Sequence, residues 1–257
     1  MPEFIELKKD GRLFTVTFSR PEVMNALHPK AHDECQAAFD EFEADPDLWV
    51  AIVTGAGDRA FCAGNDLKAV ASGGRLPFPQ SGFAGLTARF RCVKPVIAAV
   101  NGLAAGGGFE VVLACDIAVA SDTAWFALPE ARRGVAAVCG GPHRLIRHIP
   151  YKTAMGAILT GRRIPADEAL RWGLVNEVVP QGEVMTAARR WAEQILECAP
   201  VSARAMKQMA VEGLDEPTME KAYHKAYDQV MQMFRTRDFI EGPMAFAQKR
   251  KPNWTGK

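Results

Sequence analysis

Val96-Ile-Ala-Ala-Val100 is an unbroken apolar run that stops at Asn101-Gly102, and Ile117-Ala-Val-Ala120 repeats the pattern before Ser121-Asp122. Short continuous runs of this kind read as strands buried on both faces. Between them lies Gly106-Gly-Gly-Phe-Glu-Val-Val-Leu-Ala114, too short for a long helix but suited to a crossover. Upstream, Val50-Ala-Ile-Val-Thr54, bounded by Gly55, is a third such strand. Strands alternating with helical segments predict an α/β fold, a parallel sheet with helices packed on it.

Working outward, Phe4-Ile-Glu-Leu7 and Leu13 to Phe18 read as a hairpin turned at Lys9-Asp10-Gly11. Ala31, Cys35, Ala38, Phe39 and Phe42 recur at helical spacing after Pro29. Residues 72 to 83 are rich in Gly, Ser and Pro and read as a mobile surface loop. Beyond residue 150 helical periodicity dominates, through 153–160, 166–172, 183–198, 201–212, 218–234 and 237–248. Leu174 to Val179 is the longest strand-like interruption. The reading is a core over residues 1–190 and a helical region over 191–257.

The chain has 257 residues, of which 48% are hydrophobic and 24% charged, which excludes intrinsic disorder. Its net charge of +1 gives no electrostatic reason to expect nucleic acid or an anionic membrane as a partner. No apolar run approaches the ~20 residues of a membrane span. The acidic, strand-like N-terminus does not read as a signal sequence. The six cysteines are never closer than 23 residues, so they form no metal-ligand motif and fit a reducing, cytoplasmic setting.

Gly55-Ala-Gly57-Asp-Arg-Ala60 matches a dinucleotide-binding pattern. Its context fails, because Gly64 interrupts the helix that should follow and no acidic strand end appears about 20 residues on. Gly106-Gly107-Gly108 lacks the Lys-Ser or Lys-Thr of a phosphate loop. Those glycines either permit close packing or expose N–H groups at a helix start as an oxyanion site. His28 and His32 have no third ligand and read as helix-start residues on a solvated face. Glu110 stands among Phe109, Val111, Val112 and Leu113, and Glu130 follows Ala124-Trp-Phe-Ala-Leu-Pro129. Carboxylates in apolar settings are costly unless bonded or functional. They are candidates for paired acid–base work, or for ion pairs with Arg132, Arg133 or Arg144. The residues alone leave both readings open.

Phe61-Cys-Ala-Gly-Asn-Asp-Leu-Lys68 resembles the A-G-x-D-L-K segment of the crotonase (enoyl-CoA hydratase/isomerase) superfamily. Pro95 to Glu110 is similar to its second signature, and Phe126-Ala-Leu-Pro-Glu130 to its third. Further matches are Arg20-Pro21, Asn25-Ala-Leu27, Leu159-Thr-Gly-Arg-Arg163, Ala169 to Asn176 and Glu241 to Arg250, so the resemblance spans the chain. Gly82 to Thr87, Glu168 to Gly173 and Pro252-Asn-Trp254 are similar to carnitinyl-CoA dehydratase members of the hydratase branch.

The resemblance implies a ββα spiral core with a helical C-terminal trimerisation region, forming a homotrimer or hexamer. It implies an acyl-CoA thioester as substrate, with coenzyme A entering as part of it, and no metal or separate cofactor. The backbone N–H groups of Asn65 and Gly107 would form the oxyanion hole. Glu110 would activate water and Glu130 exchange the proton at Cα, so retention of both favours addition or elimination of water. Carnitinyl-CoA-type dehydration, double-bond isomerisation and thioester hydrolysis are the competing family reactions. An RNA-binding or scaffold role is the competing class, disfavoured by the balanced charge. Met24, Ala26, Ala63, Asp66, Leu67, Gly106 and Pro129 fall on the CoA- and substrate-binding stretches. Phe246 and Lys249 match positions that reach CoA from the chain end. The segment Val135-Ala-Ala-Val-Cys-Gly-Gly141 departs from the family's Pro-Gly-rich loop and puts Cys139 near the pocket wall. The loop from Ala71 to Gly85, with Leu86, is expected to contribute Leu76, Phe78, Phe83 and Leu86 to an acyl pocket.

Overall fold

Alternate residues of the apolar strands point to opposite faces, and both faces are covered. The computed structural model describes residues 2–66 and 78–257. Its strands are β1 (Ile5–Asp10), β2 (Leu13–Phe18), β3 (Val50–Gly55), β4 (Ala60–Cys62), β5 (Val96–Val100), β6 (Leu103–Ala105), β7 (Ile117–Ser121), β8 (Trp125–Ala127), β9 (Ile164–Pro165) and β10 (Glu177–Val179). The expected hairpin forms between β1 and β2, paired antiparallel from Ile5 opposite Phe18 to Asp10 opposite Leu13. β3, β5, β7 and β10 then add in parallel, giving the order β1-β2-β3-β5-β7-β10.

A second sheet, β4-β6-β8-β9, corrects the expectation of one open sheet. Each successive turn of chain gives one strand to each sheet: β3 then β4, β5 then β6, β7 then β8. This winding is the ββα spiral. The second-sheet strands β4, β6 and β8 are three residues long, too short to display a periodicity in the sequence.

One face of the large sheet carries Phe14, Val16, Ala51, Val53, Val96, Ala98, Ala118 and Ala120 into the main core. The opposite face carries Leu13, Val50, Ile52, Ile97, Ala99 and Val119 against Val184, Ala187, Ala188 and Ala192. Burial at about 25 cal/mol per Å² on two faces is why these strands read as continuous apolar runs.

The helices are α1 (Pro29–Ala44), α2 (Gly107–Ala114), α3 (Gly141–His148), α4 (Tyr151–Thr160), α5 (Ala166–Arg171), α6 (Val184–Leu196), α7 (Pro200–Gly213), α8 (Met219–His224), α9 (Asp228–Met233) and α10 (Asp238–Ala247). α6, which spans residue 190, is the cover on the second face of the large sheet. The continuous helical pattern expected over 218–234 is broken at Lys225–Tyr227. Tyr227 is buried there, and its hydroxyl donates to the Ala222 carbonyl at 2.8 Å, so the chain turns to seat the ring. Met231, Phe234, Phe239 and Phe246 remain exposed on this helical region, whereas Met233 is half-buried. Among the described residues no helix is long and apolar enough to cross a membrane.

Candidate active site

The site is built where β6 runs into α2, and each of three glycines there is required by a different neighbour. A Cβ on Gly108 would lie 2.0 Å from the Cys62 carbonyl oxygen, and one on Gly107 would lie 2.3 Å from the Phe83 ring. A Cβ on Gly106, whose φ is 57°, would lie 2.8 Å from Glu130 Oε1. The glycines therefore permit close packing, and they leave the start of α2 without side chains. Gly107 opens α2, and its N–H has no hydrogen bond to the described residues, as expected of a first helical residue.

The segment after β4 comes up against the same point. Leu27 bridges Asn65 in parallel, with Leu27 N–H donating to Gly64 and Asp66 N–H donating to Leu27. That pattern leaves the Asn65 N–H on the far side, again with no hydrogen bond to the described residues. Gly64 sits so close that a Cβ on it would be 2.9 Å from the Ala105 carbonyl oxygen and 3.2 Å from the Gly107 nitrogen. Two N–H groups without partners among the described residues thus stand on adjoining segments, one of them at a helix start, where the helix dipole favours negative charge.

Glu110 lies in the first turn of α2 and is 2% exposed. Its Oε1 accepts the Gly141 N–H at 2.8 Å, at the start of α3. Burial pushes its pKa up to about 7; the Gly141 N–H opposes that rise, and the Glu130 charge adds to it. Glu130 opens the short helical turn Glu130–Arg133, with Pro129 as its cap. Its pKa is also raised by burial, against its own backbone N–H and Arg133. Its Oε2 is buried with no hydrogen-bond partner among the described residues, while Oε1 lies against Gly106. Among the described residues neither glutamate forms an ion pair, which removes the structural alternative. Arg144 instead donates to the Thr87 carbonyl at 2.6 Å and the Cys139 carbonyl at 3.4 Å, tying together the two loops around Glu110.

The expected CoA-binding stretch folds as one unit. Met24 and Asn25 have positive φ of 56° and 54°, and Ala63 N–H donates to the Met24 carbonyl at 3.0 Å. Arg20 pairs with Asp66 at 3.2 Å and bonds the Ala26 carbonyl, clamping the two halves. Phe246 is 88% exposed, and the Lys249 backbone N–H donates to the Phe246 carbonyl. Leu67, Lys68, Leu76 and the loop from Ala71 to residue 77 lie outside the described residues.

Two expectations are corrected here. Phe83 is not on a mobile surface loop; it is fully buried, and the turn Phe83–Gly85 packs on α1 and against Gly107. Phe78 and Leu86 line a cavity of about 750 Å³ with Phe90, Val138, Cys139 and Arg144; its lining includes neither Phe83 nor the two glutamates. His32 is not solvated but 2% exposed, on the α1 face that also buries Cys35 and Phe39. Its spacing from those residues, three and seven, was the signal available in the sequence. His28 caps α1, its Nδ1 accepting from the Ala31 N–H at 3.2 Å. The Cys139 thiol lies by Thr87 and the Phe83 backbone, and burial pushes it up to about 12. Gly141, which holds Glu110, was not among the candidate residues. A backbone donor from a distant loop leaves no side-chain signature. Among the described residues no group of three or more metal-ligating side chains converges.

The whole chain has relatives of known type. Residues 8–257 match the family model described as enoyl-CoA hydratase/isomerase. The carnitinyl-CoA dehydratase of Escherichia coli K12 is 44% identical over 263 residues, covering 100% of both chains. The crystal structure of an enoyl-CoA hydratase from Mycobacterium tuberculosis H37Rv superposes with a TM-score of 0.93 at 36% identity, again over 100% of both chains. That of a carnitinyl-CoA hydratase from Mycobacterium avium superposes with a TM-score of 0.79 at 40% identity over 99% of each chain. A family match over nearly the full length, a relative 44% identical along the whole chain and a superposable spiral agree: the chain belongs to the enoyl-CoA hydratase/isomerase family.

Proposed function

We propose that this chain is a lyase that adds water across, or removes it from, the C2–C3 bond of an acyl-CoA thioester. The observation that carries the reading is the pair Glu110 and Glu130 on either side of the glycine corner, both titrating above ordinary carboxylates. In hydration, Glu110 as carboxylate takes a proton from water while the water oxygen bonds to C3. The C2–C3 π electrons shift to form an enolate, whose charge rests on the thioester oxygen between the N–H groups of Asn65 and Gly107. Glu130 delivers a proton to C2, and the carbonyl re-forms. Dehydration runs the same steps in reverse. A general base near pKa 7 matches proton transfer at neutral pH. Donors of the oxyanion kind contribute about 3–4 kcal/mol each where they have been removed. Only water and the CoA thioester take part, and Met24, Ala26, Ala63 and Asp66 would hold the CoA.

A second reading concerns the acyl group. The 44% identity to a carnitinyl-CoA dehydratase exceeds the 36% identity to an enoyl-CoA hydratase, which favours a 3-hydroxyacyl thioester bearing a trimethylammonium group. A panel of straight-chain enoyl-CoA thioesters and carnitinyl-CoA, followed by the absorbance of the conjugated enoyl group, tests both. Turnover of none of them would sink the hydro-lyase reading. Turnover of the straight-chain members alone would sink the second.

The assembly is read as a homotrimer or a pair of trimers acting in the cytoplasm. Phe234, Phe239, Phe246 and Met231 stay exposed in the C-terminal region, more apolar surface than a monomer usually leaves in water. Light scattering at micromolar concentration should give three or six times the chain mass. A monomer mass would refute the assembly.

A further inference from the structure

Both ring nitrogens of the buried His32 are engaged. Nδ1 lies 3.1 Å from the backbone nitrogen of Ala84. A backbone N–H can only donate, so Nδ1 accepts and carries no proton. The ring proton is therefore on Nε2, which faces Asn65 Oδ1 at 3.3 Å. Phe83 and Phe78 meet the ring edge-on, with centroids 4.6 and 5.8 Å away. Burial lowers the pKa of the imidazole to about 4, so the neutral form persists at working pH.

The two partners of the ring belong to the two sides of the anion-stabilising corner. Asn65 supplies one of the two N–H groups without a partner among the described residues. Ala84 follows Phe83, whose ring fills the space beside Gly107, the other donor. Ala84 itself has a φ of 51°, a conformation that needs outside support in a residue other than glycine.

We propose that His32 is a positioning residue for the oxyanion hole, its Nε2–H fixing Asn65 while its Nδ1 seats the Phe83–Ala84 turn against Gly107. The inference rests on the assignment of Asn65 and Gly107 as oxyanion donors. His32 touches no reacting atom and acts through Asn65 first. Three variants separate the two bonds. In His32→Gln an amide nitrogen can stand where Nε2 stood and keep the donor to Asn65. In His32→Asn an amide oxygen can stand where Nδ1 stood and serve Ala84 alone. His32→Leu removes both.

The readout is the absorption of bound 2,4-hexadienoyl-CoA, which moves to longer wavelength when its carbonyl is polarised, alongside kcat, KM and melting temperature. His32→Leu and His32→Asn should lose most of the spectral shift. Their kcat should fall roughly 10- to 100-fold, the scale of a small misplacement at a reacting centre. KM should stay within about threefold, because binding remote from the carbonyl is untouched. His32→Gln should retain most of the shift and of kcat. Retention of the full shift in His32→Leu would overturn the proposal. So would losses in Gln and Asn variants alike that simply follow their melting temperatures. If the wild-type protein binds the probe without any shift, the oxyanion assignment itself falls and this inference with it, a failure visible before any variant is made.

Discussion

The large sheet and the glycine corner are built from the same kinds of residue under opposite rules. In the sheet, β2, β3, β5 and β7 bury both faces, and ladder bonds satisfy the strand backbones. In the corner, two backbone N–H groups and the buried Glu130 Oε2 have no hydrogen-bond partner among the described residues. Such features cost stability and persist only because the surrounding spiral fixes them. The contrast separates a region that exists to be stable from one that spends that stability on chemistry, and single substitutions should separate them experimentally.

The largest effect belongs to the corner. Glu110→Gln and Glu130→Gln should each lower turnover by at least ~100-fold, the scale of lost general acid–base catalysis, with thermal unfolding still cooperative. Gln keeps the acceptor for the Gly141 N–H at position 110, so a fall in activity cannot be charged to misfolding. Near-normal turnover in either variant would place the chemistry elsewhere.

The sheet should answer in the other currency. Ile52 is fully buried on the face covered by α6. Ile52→Ala should cost about 2–5 kcal/mol of unfolding free energy in urea titrations, through lost transfer energy and a cavity. Its kcat, measured well below the melting transition, should match wild type. A kcat that drops in proportion to stability would erase the distinction between the regions.

The smallest effect runs against the usual direction of mutation. The pKa of Glu110 rises from an ordinary 4.5 to about 7 on folding, so the folded state holds a proton that the unfolded state has released between those values. The Glu110 contribution to stability therefore falls as pH rises from 4.5 to 7, the penalty being complete above 7 and absent below 4.5. Glu110→Gln removes the penalty and should stabilise the protein by about 2–3 kcal/mol at pH 8, with the gain vanishing near pH 4.5. Equal stability of variant and wild type at both pH values would mean that the buried carboxylate carries no strain.

Much of this was legible in the chain. Val50–Thr54, Val96–Val100 and Ile117–Ala120 announced themselves because strands covered on both faces cannot afford polar residues. Glu110 and Glu130 stood out because a carboxylate in an apolar setting breaks the same rule. The signatures around Asp66, Glu110 and Glu130, in order, were enough to suggest the family. What the chain did not disclose were contacts made by backbone or by distant turns. Gly141 reaches Glu110 through an N–H that any residue but proline has. His32 looked solvated until its helical face was matched with Cys35 and Phe39. The second sheet hid in three-residue strands with no period to read. Sequence by itself determined which residues must be buried and which burials are too costly to be idle, because those are local properties of side chains. Only the tertiary structure decided which N–H groups stay unpaired and which carboxylate oxygen stays unbonded. Hydrogen-bond partners are set by where separate turns of the spiral pass one another, and that proximity is written in no single segment.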